Sequence, residues 1–143
     1  MSTLELTKDN FNEVVEKNDF VLVDFWASWC GPCRMFAPVY EKAAETNPDL
    51  VFAKVDTEAQ QELAGAFEIR SIPTLMIIRD RTVVFSQPGA LPAPALEDLI
   101  KQARALDMDE VRRETGQTSN GQTSNGQTSN GQTSTGDAEA AEG

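Results

Sequence analysis

The sequence predicts one α/β domain built on a mixed sheet with helices on both faces, followed by a segment with too little apolar content to fold. Three observations carry this. Apolar, β-branched runs alternate with stretches of helical periodicity from Leu4 to about Met108. One of those runs, Phe20 to Ala27, is almost continuously apolar, as in a strand covered on both faces. From Gly116 onward there is no Leu, Ile, Val, Met, Phe, Tyr, Trp or Cys, so nothing there buries enough surface to offset the entropy of ordering.

The elements follow in order. Leu4 to Leu6 suits a short edge strand, and Thr7 is placed to cap a helix whose Phe11, Val14 and Val15 recur at i, i+3 and i+4. Phe20 to Ala27 is the central strand. A helix is predicted from near Pro32, with Phe36, either Val39 or Tyr40, and Ala43 on one face, kinked at Pro38 and stopping before Pro48. Leu50 to Val55 reads as a strand, and Thr57 with Gln60 as the capping box of a short helix carrying Leu63, Ala66 and Phe67. Thr74 to Ile78 and Thr82 to Phe85 form a hairpin about Arg79-Asp80-Arg81. Pro94 fits the first turn of a last helix with Leu96, Leu99, Ile100 and Ala103 in one stripe. The result is β-α-β-α-β-α-β-β-α, expected as a domain over 1–108, with a flexible low-complexity tail over 109–143. In that tail Gly-Gln-Thr-Ser-Asn starts at Gly116, Gly121 and Gly126, and Gly-Gln-Thr-Ser-Thr at Gly131.

A net charge of -11 on 143 residues argues against nucleic acid or anionic membrane as a partner, because both would repel the chain. No run reaches the roughly 18 apolar residues of a membrane span, and Met1 to Asn10 lacks the basic and apolar regions of a signal peptide, so a cytoplasmic location is expected. In that compartment two cysteines are chemistry rather than staple. With no His and no further Cys, a His-based catalytic pair is excluded and the Cys-x-x-Cys is only half a zinc site, so neither metal nor cofactor is expected.

Trp29-Cys30-Gly31-Pro32-Cys33 lies where the central strand hands over to a helix. Cys30 falls at the helix start, where unpaired N–H groups and the positive dipole end favour a thiolate, so it is the expected nucleophile, near the surface. Cys33 is one turn further on, shares a face with Phe36 and Tyr40, and is the expected resolving thiol. Gly31 leaves clearance for a partner disulfide, and Pro32 presets the helical φ without wasting a donor. Asp24 is a carboxylate in the middle of an apolar strand, on the face of Leu22 and Trp26. If the helix after Cys30 covers that face, Asp24 lies beneath its first turn, and burial would tune it to exchange a proton near neutral pH; a neutral or hydrogen-bonded core aspartate is the alternative.

These residues, with Val23 to Trp29 ahead of them, Ala37-Pro38, Phe52-Ala-Lys-Val-Asp56, Ser71-Ile-Pro-Thr74 and Pro88-Gly-Ala90, resemble the bacterial thioredoxin family over about the first 108 residues. The resemblance implies the thioredoxin fold, a five-stranded mixed sheet flanked by four helices, and a cis bond between Ile72 and Pro73 that leaves nearby backbone groups free for an extended partner segment. It implies docking through Trp29, Ile72, Pro73 and Gly89, with Trp26 packed behind the site and Lys54 near Asp24. It also implies reduction of disulfide-containing client proteins through Cys30 and Cys33, with recycling by a thioredoxin reductase, in a chain expected to act as a monomer. A non-catalytic protein-binding subunit using the same surface is the rival reading. Arg79-Asp80-Arg81 stands where many family members carry Asn-Gly, which leaves the turn type open, and the tail has no family counterpart.

Overall fold

The computed structural model describes residues 3–115. Among these, the residues up to Ala105 belong to one compact unit and those from Leu106 to a second. In the first, β1 (Thr3–Glu5), α1 (Phe11–Lys17), β2 (Phe20–Trp26), α2 (Gly31–Thr46), β3 (Val51–Asp56), α3 (Gln61–Ala66), β4 (Thr74–Arg79), β5 (Thr82–Pro88) and α4 (Ala93–Arg104) follow the expected alternation. The strands form one sheet in the order β1-β3-β2-β4-β5. β1, β3 and β2 run parallel, and β4 and β5 are each antiparallel to their neighbour, so the sheet is mixed.

The side-chain alternation of β2 divides the core. Leu22 faces α2 and α4, where it meets Phe36, Tyr40, Leu96 and Ile100 together with Phe52, Leu75 and Ile77 from the flanking strands. Val21, Val23 and Phe25 face the other way, onto Val15 of α1 and Leu63 of α3. With both faces covered, the polar member of the strand cannot reach water, which is what makes Asp24 exceptional. Of the two candidates on α2, Tyr40 is the buried one and Val39 lies at the edge of that cluster. The helix runs through Pro38 and ends at Thr46, before Pro48.

Two predicted caps are corrected. Thr7 does not cap α1: Asn10 Oδ1 accepts from the Thr7 N–H at 2.7 Å and Thr7 Oγ1 from the Asp9 N–H at 3.2 Å, making a turn that delays the helix to Phe11. Thr57 does not cap α3, which starts after Gln60, because its hydroxyl donates instead to the Trp26 carbonyl at 3.0 Å. The hairpin turn is settled as well. Arg79 pairs with Thr82, leaving Asp80 and Arg81 as a two-residue loop with φ of 51° and 64°, positive at both positions as a type I′ turn requires.

In the second unit, residues 109–115, expected as the start of the tail, belong to a fifth helix, α5 (Met108–Thr115). Asp107 Oδ1 accepts from the N–H groups of Asp109 and Glu110 at 3.0 and 3.3 Å, satisfying donors that the first turn leaves unpaired. The repeats from Gly116 onward lie outside the described residues. Among those residues no helix is long and apolar enough to cross a membrane.

Candidate active site

β2 stops at Trp26 and the chain turns through Ala27, Ser28 and Trp29 into α2, with Cys30 as its N-cap in an extended conformation (φ -86°, ψ 114°). Cys30 Sγ accepts from the Cys33 N–H at 3.1 Å, so the sulfur itself satisfies one of the unpaired donors at the helix start. Its carbonyl takes the first intrahelical bond, from the Arg34 N–H at 3.1 Å. Cys30 and Cys33 are joined as a disulfide across one helical turn, with Cα atoms 5.2 Å apart. Gly31 opens the helix and Pro32 follows in its first turn, where no intrahelical donor is lost. A Cβ at Gly31 would meet nothing within 4 Å, so the space beside this residue is open.

Burial departs from expectation. Cys30 is 4% exposed and Cys33 3%, so in the disulfide form neither sulfur stands at the surface. Ala27, Trp26 and Ile72 pack around the pair. The asymmetry between the two is therefore positional: Cys30 occupies the cap and Cys33 the inward face of the first turn.

Asp24 shares its strand face with Leu22, which packs on Phe36 and Tyr40, so the α2 side is the one it occupies. It is 1% exposed, and neither carboxylate oxygen has a hydrogen-bond partner among the described residues. Burial raises its pKa to about 7, against the opposing charge of Lys54. Lys54 lies directly across from Asp24 in the β2–β3 register, and its Nζ stands 4.9 Å over the Trp26 ring. Trp26 thus holds the ammonium beside the strand pair as well as packing behind the cysteines. Nearby, the buried Tyr40 hydroxyl donates to the Ala53 carbonyl at 2.7 Å. Its phenol is pushed well above the usual value, first by burial and then by the Asp24 charge.

The Ile72–Pro73 peptide is cis, as the resemblance implied. Ile72 packs on the cysteine cluster and its carbonyl oxygen lies 3.8 Å from Cys30 Sγ. The Pro73 carbonyl accepts from the Gly89 N–H at 2.8 Å. That bond brings Gly89, at φ 117°, alongside Pro73. Trp29 is 64% exposed beside the disulfide, and its indole N–H donates to the Glu58 carboxylate. Sequence reasoning passed over Glu58 and the Tyr40 hydroxyl. Tyr40 was visible as a core position, but nothing in the pattern marks a hydroxyl, and Glu58 lies 29 residues from Trp29.

The sequence matches the thioredoxin family model over residues 2–102. A Streptomyces coelicolor protein assigned provisionally as thioredoxin 2 is 69% identical over 116 residues, covering 81% of this chain and 87% of that one. Thioredoxin from Bacillus subtilis is 39% identical over 103 residues, covering 71% of this chain and 98% of that one. Among solved structures, a mutant thioredoxin from Halobacterium salinarum superposes with a TM-score of 0.68 at 39% identity, covering 73% of this chain and 93% of that one.

Proposed function

The chain belongs to the thioredoxin family and is a thiol-disulfide oxidoreductase, and on that premise we propose that it works as a cytoplasmic, monomeric reductant of client disulfides. Disulfide-containing proteins and a reductase are the partners its family implies in general. In the proposed cycle the Cys30 thiolate attacks one sulfur of a client disulfide, that bond breaks, and the second client sulfur leaves as a thiolate. Cys33 then gives its proton to the Asp24 carboxylate and attacks Cys30 Sγ. The Cys30–Cys33 disulfide forms, the mixed disulfide breaks, and the first client sulfur leaves and takes up a proton. Two electrons have passed to the client, and a thioredoxin reductase restores the dithiol. Trp29, Ile72, Pro73 and Gly89 form the docking surface, with Gly31 and Pro32 keeping the approach open and Trp26 and Lys54 supporting Asp24.

The observation that carries this reading is a disulfide on the first turn of α2, on the same sheet side as a buried, unpartnered carboxylate whose pKa is near neutrality. In an insulin-reduction assay, Cys30→Ser abolishes activity, and Cys33→Ser accumulates a mixed disulfide through Cys30. A Cys30→Ser protein that reduces insulin as fast as wild type overturns the assignment. An equilibrium with glutathione tests the direction: a reductant keeps Cys30 and Cys33 as thiols only when glutathione is strongly reducing.

A further inference from the structure

The loop between β3 and α3 is tied down by hydrogen bonds of its own backbone and side chains. Asp56 Oδ1 accepts from the N–H groups of Glu58 and Ala59 at 3.0 and 3.4 Å, and the Asp56 carbonyl from the Gln60 N–H at 2.8 Å. Thr57 gives both its N–H and its hydroxyl to the Trp26 carbonyl, at 2.8 and 3.0 Å. Three of these bonds brace the segment internally, and the two from Thr57 anchor it to the end of β2, where the cysteine loop begins. From this anchored segment Glu58 reaches the indole N–H of Trp29 on that loop.

An indole that is 64% exposed gains little from burial to hold its orientation. A hydrogen bond to an ionised carboxylate is stronger than one to a neutral group, and its acceptor here sits on fixed backbone. The two loops are therefore joined twice, by Thr57 at the start of the cysteine loop and by Glu58 one residue before Cys30. We propose that Glu58 is a positioning residue that holds the Trp29 ring as a preformed wall of the docking surface, so that it selects protein disulfides over small-molecule disulfides. The proposal rests on the reading of Trp29 as a docking residue. A protein client must be oriented against that wall and gains from its being preorganised. A small disulfide needs only access to Cys30, which the wall does not supply.

The test compares Glu58→Ala, Glu58→Gln and Trp29→Ala in the full chain. Insulin and a small aromatic disulfide are the substrates, and ¹⁵N relaxation of the Trp29 indole is the direct readout of ring order. Loss of one such hydrogen bond corresponds to about a three- to tenfold fall in kcat/KM for insulin in Glu58→Ala, with the small disulfide and the glutathione equilibrium unchanged. Glu58→Gln retains an acceptor oxygen and recovers most of the insulin rate and the indole order. If Glu58→Ala loosens the indole but leaves insulin kinetics at wild-type level, or slows both substrates equally, the proposal is overturned. If Trp29→Ala itself leaves insulin kinetics unchanged, the docking reading beneath it fails instead.

Discussion

Replacing Asp24 by Asn removes an ionisation that the fold resists. Asp24 is 1% exposed, without a hydrogen-bond partner among the described residues, and held at about 7 against an ordinary aspartate value of 3.8. A gap of about three units, at about 1.4 kcal/mol each, amounts to ~4 kcal/mol of differential stability. The sign follows from which state holds the proton. Between the two values the folded protein keeps it and the unfolded chain has lost it, so unfolding releases a proton and stability falls as pH rises. The contribution is fully present below about pH 4, declines up to about pH 7, and levels off once both states are ionised. Asn has nearly the shape of the neutral acid and no ionisation. The stability of Asp24→Asn relative to wild type should therefore be near zero at about pH 4 and reach about 4 kcal/mol in favour of the variant at about pH 9. Urea unfolding of the two oxidised proteins across that range measures it, and every other titrating group cancels in the difference. A difference flat with pH, or a wild type more stable than the variant at high pH, refutes the account of Asp24.

The same substitution should slow release of the mixed disulfide more than its formation, followed by rapid-quench kinetics; equal slowing of both steps removes Asp24 from proton transfer. Lys54→Met deletes the charge that opposes burial, so Asp24 should titrate above about 7 and the decline in stability move to higher pH, read from the carboxyl signal by NMR. Gly89→Ala meets no clash, since nothing lies within 4 Å of the new Cβ, but it forces an L-residue to φ 117°. It should lower unfolding stability by about 1–3 kcal/mol through the backbone alone.

What was legible in the sequence is what short-range physics decides. Period-two and period-3.6 patterns set the order of strands and helices because each element must bury one face or both. The disulfide at the start of α2 follows from local geometry too, as Cys30 and Cys33 are one turn apart and the strand-to-helix junction fixes which is the cap. Asp24 announced itself by breaking an apolar run. The failures share a cause. Thr7 and Thr57 have the chemistry of helix caps, but their groups are bound elsewhere by partners that pattern does not reveal. Cys30 is buried where the pattern places it near the surface, because Ile72, distant in the chain, packs against it.

Periodicity states which face a residue takes, and it leaves register unspecified. Only the assembled sheet covers that face with α2, leaving the carboxylate without a hydrogen bond among the described residues, and sets Lys54 opposite it, so that burial against the lysine charge brings it to a pKa of about 7. Only the packing of separate loops puts the Ile72 carbonyl beside Cys30, engages the Pro73 carbonyl with Gly89, and joins Glu58 to Trp29. The sequence by itself determined that two cysteines would sit on a helix start and that an acid would interrupt the apolar central strand, since those are local consequences of residue type and spacing. The tertiary structure decided how that acid is tuned and what surrounds the sulfurs, because burial and electrostatics are sums over neighbours that the chain supplies from a distance.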